Sequence, residues 1–168
     1  AFLLFLLFLK RKKTDRIVFE VPYYQPYLLI AQHLGFSIEF AYRQFESEFL
    51  EIASIKRITK KSAIIISNPN FYYGTRIKNE DIFKLANIFK YVLLDEVHLP
   101  QFTKSNSFGS GIKSKNVFSI NSLAKSMGLS SLRFGWIAGE DEYIKILSEI
   151  SLYSHVDMPT IPMISAYK

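Results

Sequence analysis

Apolar residues along this chain of 168 residues occur as short continuous runs and as helical repeats, and the two patterns alternate. Short runs bounded by turn residues predict strands, whereas apolar positions repeated every three or four residues predict amphipathic helices. The predicted strands are 17–21, 38–41, 63–67, 91–95, 117–120 and 134–138. The predicted helices are 25–34, 45–58, 79–89, 140–152 and, at the end of the chain, 160–168.

Strands that alternate with helices are typical of an α/β fold with a mostly parallel central sheet and helices on both faces. The run 63–67 is apolar at successive positions, which predicts a central strand covered on both faces. Hydrophobic residues make up 49% of the chain, so it has enough apolar surface to fold. No internal repeat or low-complexity linker divides it, and the sequence predicts one domain.

The apolar run at 1–9 permits two interpretations. It is much shorter than the ~20 residues needed to cross a bilayer, and its basic residues follow it, whereas in a signal peptide they would come first. A buried core helix is the favoured prediction. A membrane anchor stays as an alternative, which an upstream extension of the run would support.

Charge and composition narrow the possible functions. The net charge is +6, but the basic residues are scattered or lie in small clusters without a nucleic-acid-binding motif, so we expect solvated helix ends and no nucleic-acid partner. The chain has no Cys, which excludes disulfides and fits a reducing, cytoplasmic location. His33, His98 and His155 lack the spacing of a metal motif.

Polar side chains stand where several of the predicted strands end. Asn68, Asp95 and Ser122 lie at or just beyond strand ends, Lys125 follows three residues later, and Arg133 lies eight residues beyond it. Ligands of open α/β sheets bind beyond the carboxyl ends of the strands, so these residues are expected to converge. A lysine that can form an imine, an acid for a ring nitrogen and a serine–arginine pair for a phosphate together indicate pyridoxal 5′-phosphate.

The motifs around these residues occur in the order of a known family. Asn68-Pro69, Asp95-Glu96, Ser-x-x-Lys at 122–125 and Gly-Leu-x-x-Leu-Arg-x-Gly at 128–135 are weak matches singly but specific together. From about residue 17 to its end the chain resembles the class I/II aminotransferases, which are fold-type-I pyridoxal-phosphate enzymes. The resemblance implies a homodimer that transfers an amino group between an amino acid and a 2-oxo acid.

The resemblance also implies a role for each residue. Lys125 would form the Schiff base and then move the substrate Cα proton, and Asp95 would keep the pyridine nitrogen protonated. Asn68 would donate to the phenolic oxygen of the ring, while Ser122 and Arg133 would bind the phosphate. The ordinary alternatives are a surface lysine, a strand-end carboxylate that caps the next segment, and a turn-forming asparagine before proline.

The sequence departs from the family pattern in two places. His98 stands where the family usually has a tyrosine that touches the phenolic oxygen; it could still donate, but its charge would vary near neutral pH. The usual Asn-Pro-x-Asn-Pro-Thr-Gly appears as Asn-Pro-Asn-Phe-Tyr-Tyr-Gly at 68–74. No cofactor role is assigned to Glu96, for which packing or hydrogen bonding behind the site is expected. The aromatic loops 21–27 and 70–73 are expected to pack more than to line a pocket.

We expect residues 1–168 to be part of a cofactor-binding large domain, without the N-terminal segment and small C-terminal domain of the family, because family members are more than twice as long. Alone it would turn over poorly or not at all. Three alternatives remain open: a lyase or decarboxylase of the same fold, a non-catalytic regulator that retains an aminotransferase-like domain, and the membrane-anchored protein considered above. The substrate amino acid is not specified by the sequence.

Overall fold

The computed structural model describes residues 1–43, 50–51, 60–99, 114–125, 127–154 and 164. Its helices are α1 (Phe2–Arg11), α2 (Gln25–His33), α3 (Asn79–Ile88) and α4 (Asp141–Ser154). Its strands are β1 (Arg16–Val21), β2 (Ser37–Arg43), β3 (Leu50–Glu51), β4 (Ser62–Ser67), β5 (Tyr91–Asp95), β6 (Val117–Ser122) and β7 (Gly135–Ala138). A single 3-10 turn in this part of the chain, Ser130–Leu132, precedes β7.

The described strands form one sheet in the order β3-β2-β1-β4-β5-β6-β7. The five inner strands pair in parallel, whereas β3 and β7 pair antiparallel to their neighbours at the two edges. The predicted mostly parallel α/β sheet is therefore confirmed. The parallel arrangement brings the carboxyl ends of β1, β2, β4, β5 and β6 to one edge, where a ligand site is expected.

Two hydrophobic clusters cover the two faces of the sheet. Alternate residues of the inner strands pack under α1, α2 and α4 on one face, and the intervening residues pack under α3 on the other. The run predicted to be a central strand, now β4, is buried from Ser62 to Ile66, as its two apolar faces require. We call the α1/α2/α4 side the front face and the α3 side the back face.

The apolar N-terminal run is a buried helix, as favoured by the sequence. In α1, Phe5 and Phe8 are fully buried and their rings pack against Phe118 at centroid distances of 5.1 and 5.2 Å. Among the residues that the structure describes, no helix is long and apolar enough to cross a membrane. The basic residues after the run lie at the helix end, where Lys10 pairs with Asp15 at 2.9 Å, so they act as a charged helix terminus.

One predicted element is wrong in the part that the structure describes. The sequence predicts a single helix over 45–58, but Leu50–Glu51 is a short strand paired antiparallel with Tyr42 and Arg43 of β2. The rest of that prediction lies outside the described residues, as does all of the predicted helix 160–168 except the helical Ile164. The other predicted elements are confirmed, with boundaries that differ by at most two residues.

Candidate active site

A cavity of ≈ 720 Å³ opens on the front face at the carboxyl ends of β4, β5 and β6. Five of the six site residues predicted from the sequence line it: Asp95, His98, Ser122, Lys125 and Arg133. Asp95 is the last residue of β5 and Ser122 the last of β6, so the sheet itself brings them to one edge. The geometry therefore brings together residues up to 38 positions apart in sequence, from Asp95 to Arg133.

Asp95 is the buried charge of the cavity, with only 6% of its surface exposed. Burial raises the pKa of its carboxyl to about 6, although a hydrogen bond from the backbone N–H of Val97 at 3.2 Å and one from the hydroxyl of Tyr27 act in the opposite direction. Among the described residues no Lys, Arg or His forms an ion pair with Asp95. A carboxylate held in this way is suited to a cationic ligand group.

Tyr24 and Tyr27 line the cavity, although the sequence predicts no specific role for them. They lie at the start of α2, and their rings meet edge to face at 5.1 Å. The Tyr27 ring also stacks on Phe2 at 3.8 Å, and burial next to Asp95 raises the pKa of its hydroxyl. Their spacing of three residues on a helix that begins just beyond β1 is the sequence signal that places both rings at the site.

His98 and Lys125 lie close enough for the lysine charge to act on the imidazole ring. Both side chains are exposed, and both line the cavity. Burial of the ring and the nearby ammonium group of Lys125 together lower the pKa of His98 below its ordinary value. The imidazole is therefore neutral at pH 7, so it does not add a second positive charge beside the lysine.

Ser122 and Arg133 lie on the part of the cavity formed by β6 and β7. The Ser122 hydroxyl accepts a hydrogen bond from the N–H of Ala124 at 3.3 Å. Arg133 adopts a left-handed backbone conformation (φ 50°, ψ 32°), which is uncommon for a residue with a side chain and is often found at functional sites. Gly135 pairs with Ser122, and a Cβ there would come within 2.9 Å of the Asn121 carbonyl oxygen, so a glycine is needed for this close approach.

Asn68 is next to the cavity in sequence but does not line it. Its side chain is buried on the back face, where Nδ2 donates to Glu96 at 3.3 Å and Oδ1 accepts from the N–H of Ile77 at 3.1 Å. Ser67, one residue earlier, lines the cavity because successive residues of a strand point to opposite faces. Glu96 is likewise buried and accepts a hydrogen bond from Ser119 at 2.6 Å, which fits the packing role expected for it.

Of the two aromatic loops, only part faces the cavity. Phe71 lines it together with Tyr24 and Tyr27, whereas Tyr23 packs into the front-face core against Phe40 at 5.4 Å. The expectation that these loops mainly pack therefore fails for three of their rings. In the part of the chain that the structure describes, no group of His, Asp and Glu is arranged to hold a metal ion.

The donor set defines the kind of ligand that would fit. The buried Asp95 suits a protonated ring nitrogen, and the aromatic walls suit a flat ring. The Arg133 guanidinium and the Ser122 hydroxyl suit a phosphate, and the Lys125 amine suits a carbonyl carbon. A cavity with these groups is typical of an enzyme that works through a phosphorylated aromatic aldehyde.

Comparison with known proteins agrees with this class. The profile of the aminotransferase class I and II family matches residues 1–166, and the chain belongs to that family. It is 29% identical over 148 residues to a histidinol-phosphate aminotransferase of Pelagibacter ubique, covering 83% of this chain and 40% of the relative. It is 23% identical over an aligned length of 177 residues to a probable aspartate/prephenate aminotransferase of Aquifex aeolicus, covering 97% of this chain and 45% of that protein.

The fold has close counterparts among solved structures. The aspartate aminotransferase of Thermotoga maritima superimposes with a TM-score of 0.79 at 18% identity, over 98% of this chain and 47% of that one. Likeness at this level of identity shows the shared fold. The chain thus spans less than half the length of the relatives that it matches.

Proposed function

We propose that this chain is the greater part of the cofactor-binding large domain of a pyridoxal-phosphate-dependent aminotransferase. One observation carries the proposal: Asp95, Lys125 and the pair Ser122–Arg133 surround a single cavity at the carboxyl ends of the strands. Membership of the aminotransferase class I and II family supports it. The cofactor, when bound, supplies an electron sink for the carbanion that forms when the substrate Cα loses its proton.

The residues of this chain divide the work between binding and proton transfer. Asp95 would pair with the ring nitrogen of the cofactor, and the buried position of its carboxylate would make that pairing strong. Arg133 and Ser122 would bind the phosphate, and Tyr24 and Tyr27 would supply aromatic surface. Lys125 would hold the cofactor through its amine and would serve as the base for the substrate Cα proton.

His98 and Asn68 differ in whether they line the cavity. His98 lines the cavity, and its neutral imidazole would donate a hydrogen bond to the ring hydroxyl. Asn68 stays a prediction from the family pattern, since its amide is bonded to Glu96 and Ile77 on the back face. Asn68 does not line the cavity, so only the family pattern supports its predicted contact with the cofactor.

The substrates that we propose are an amino acid and a 2-oxo acid, which exchange an amino group in two half-reactions. A homodimer is part of the proposal because members of the family usually complete their sites across a subunit interface. A cytoplasmic location is proposed too; it is supported only by the absence of Cys from the sequence.

A half-reaction experiment tests the proposed reaction type. The full-length protein, loaded with pyridoxal phosphate, is mixed with single amino acids without any oxo acid, and its absorbance spectrum is followed. We expect stoichiometric conversion of the bound cofactor to its aminated form, with one equivalent of 2-oxo acid released and no ammonia. Adding a 2-oxo acid should restore the starting spectrum.

Catalytic release of ammonia or carbon dioxide without an acceptor would contradict transamination and favour a lyase or decarboxylase of the same fold. Binding of the cofactor without reaction of any amino acid would favour a non-catalytic member. A matched Lys125→Ala variant of the same protein serves as the control for reactions that do not use the lysine.

A further inference from the structure

We propose that a row of buried polar groups on the back face of the sheet positions the cavity residues Ser67 and Asp95 on the front face. The row follows the strand order β2-β1-β4-β5-β6. Its members are Arg43, Glu20, Asn68, Glu96 and Ser119, each at most 5% exposed. The part of the proposal that concerns ligand binding rests on the proposed function, whereas the structural part does not.

The first half of the row is a buried ion pair with two further bonds. Arg43 Nε donates to Glu20 Oε1, and both side chains are 1% exposed. The other oxygen of Glu20 accepts the backbone N–H of Ser67 at 2.9 Å, and Arg43 Nη1 donates to Thr75 Oγ1 at 2.9 Å. The pair therefore holds both ends of the loop that runs from Ser67 to Thr75.

The second half of the row continues across the next strands. Asn68 Nδ2 donates to Glu96 Oε1, and Ser119 Oγ donates to Glu96 Oε2 at 2.6 Å. The bond between the Asn68 N–H and the Asp95 carbonyl oxygen, at 2.8 Å, joins the loop to the end of β5. Polar side chains thus connect five neighbouring strands at the edge where the cavity opens.

Alternation along the strands links this row to the cavity. Ser67 and Asp95 line the cavity, and the residues that follow them, Asn68 and Glu96, belong to the row. A shift of Asn68 or Glu96 would rotate the neighbouring residue, because adjacent side chains share the same rigid backbone. Binding groups need to be held to within a fraction of an ångström, and buried hydrogen bonds behind them provide that constraint.

A double substitution separates positioning from stability. In Glu20→Leu with Arg43→Met, apolar side chains replace the ion pair, and such replacements often leave stability unchanged or raise it. The Ser67 N–H and Thr75 nevertheless lose their partners. We expect a melting temperature close to that of the wild type, with faster hydrogen exchange at the Asn68, Ile77 and Val97 amides, which report on the Asn68 and Asp95 side chains.

The same variant of the full-length protein should bind pyridoxal phosphate about 10- to 100-fold more weakly, since small misplacements of binding groups have effects of this size. Arg11→Ala, which breaks the exposed pair with Glu149 away from the row, is the matched control and should change neither quantity. Should the double variant not fold, Ser119→Ala removes one bond to Glu96 and is expected to shift both quantities less, in the same direction.

The proposal would be overturned if a folded double variant kept both the amide exchange and the cofactor affinity of the wild type. Where the double variant does not fold, the same result in Ser119→Ala would overturn it. The row would then have a stability role only. If the wild-type protein itself binds no pyridoxal phosphate, the proposed function fails. The exchange measurements on the protein without cofactor still decide the positioning claim in that case.

Discussion

Two polar clusters occupy the same strand ends on opposite faces of the sheet, and they differ in whether the buried carboxylate has a positively charged partner. On the back face, the carboxylate of Glu20 is paired with Arg43 and also accepts the Ser67 N–H. On the front face, Asp95 is similarly buried, but within the described residues it has only the Tyr27 hydroxyl and the Val97 N–H as donors. Arg43 thus pairs with Glu20 on the back face, whereas among the described residues no Lys, Arg or His forms an ion pair with Asp95 on the front face.

This difference distinguishes a structural buried charge from one kept for a ligand. A buried ion pair fixes geometry through the contacts between its own partners, whereas a buried carboxylate beside a cavity costs free energy until a cation arrives. Burial raises the pKa of both carboxyls. At Glu20 the Arg43 guanidinium and the Ser67 N–H oppose this rise, whereas no Lys, Arg or His among the described residues pairs with Asp95. The front cluster is therefore the one in which a ligand would supply the missing positive charge, and the back cluster supports the position of its residues.

Substitution of Asp95 should produce the largest change, with opposite effects on stability and binding. Because the folded-state pKa of about 6 lies above the ordinary 3.8, the penalty is absent below about pH 4, grows up to about pH 6 and is complete above it. We expect Asp95→Asn to raise the free energy of unfolding of the cofactor-free protein by about 1–3 kcal/mol near pH 8 and by little near pH 4.

The same variant should bind pyridoxal phosphate about 10- to 100-fold more weakly, because a charge-assisted hydrogen bond is lost. Urea unfolding at the two pH values and a cofactor titration measure the two effects. Glu20→Gln is the comparison within the other cluster: it removes the charge that pairs with Arg43 and should lower stability at pH 8. A loss of stability in Asp95→Asn at pH 8 would contradict the distinction between the clusters.

Substitution of His98 should change the pH dependence of stability and of cofactor affinity by a smaller amount. Its pKa is lowered by burial and by Lys125, so protonation is disfavoured in the folded protein and stability falls as the pH drops below the ordinary value near 6.5. His98→Tyr should remove this dependence. Because the ring is exposed, titration of His98 should change cofactor affinity by less than about fivefold. The affinity profiles of the wild type and His98→Tyr between pH 5 and 8 should therefore differ by no more than that, and both should retain the change due to Asp95.

A titration series across this pH range measures the affinity. The exposed His33, whose Nδ1 lies 2.8 Å from the Leu29 carbonyl oxygen, provides the control His33→Gln. A wild-type pH profile in His98→Tyr together with an altered profile in His33→Gln would assign the effect to the other histidine and refute this prediction.

The sequence specified the sheet well because its inner strands are buried on both faces and are therefore strongly apolar. It predicted the strand ends at which Asp95, Ser122 and Lys125 converge, since parallel strands share one carboxyl edge. The short strand Leu50–Glu51 was missed because its pairing with β2 is a tertiary contact with no local pattern. The apolar residues around it in the sequence, Phe45, Phe49, Ile52, Ala53 and Ile55, also fit a helical repeat.

Two details of the site could not be predicted from the sequence, because they too depend on tertiary packing. Strands that are apolar on both faces carry no alternation, so nothing in the sequence indicates which face Asn68 joins; it lies on the back and Ser67 on the front. The bond between Tyr27 and Asp95 connects residues 68 positions apart. Only the packing of α2 against the sheet brings them together.

The most direct test of the account is to locate the cofactor on the chain. The full-length protein is incubated with pyridoxal phosphate, reduced with borohydride, digested and analysed by peptide mass spectrometry, with Lys125→Arg treated in parallel. The account predicts a single stoichiometric adduct on Lys125 that is absent from the variant. Adducts spread over Lys10, Lys12 and other exposed lysines, at equal yield in both proteins, would contradict the assignment of the front cavity as the cofactor site.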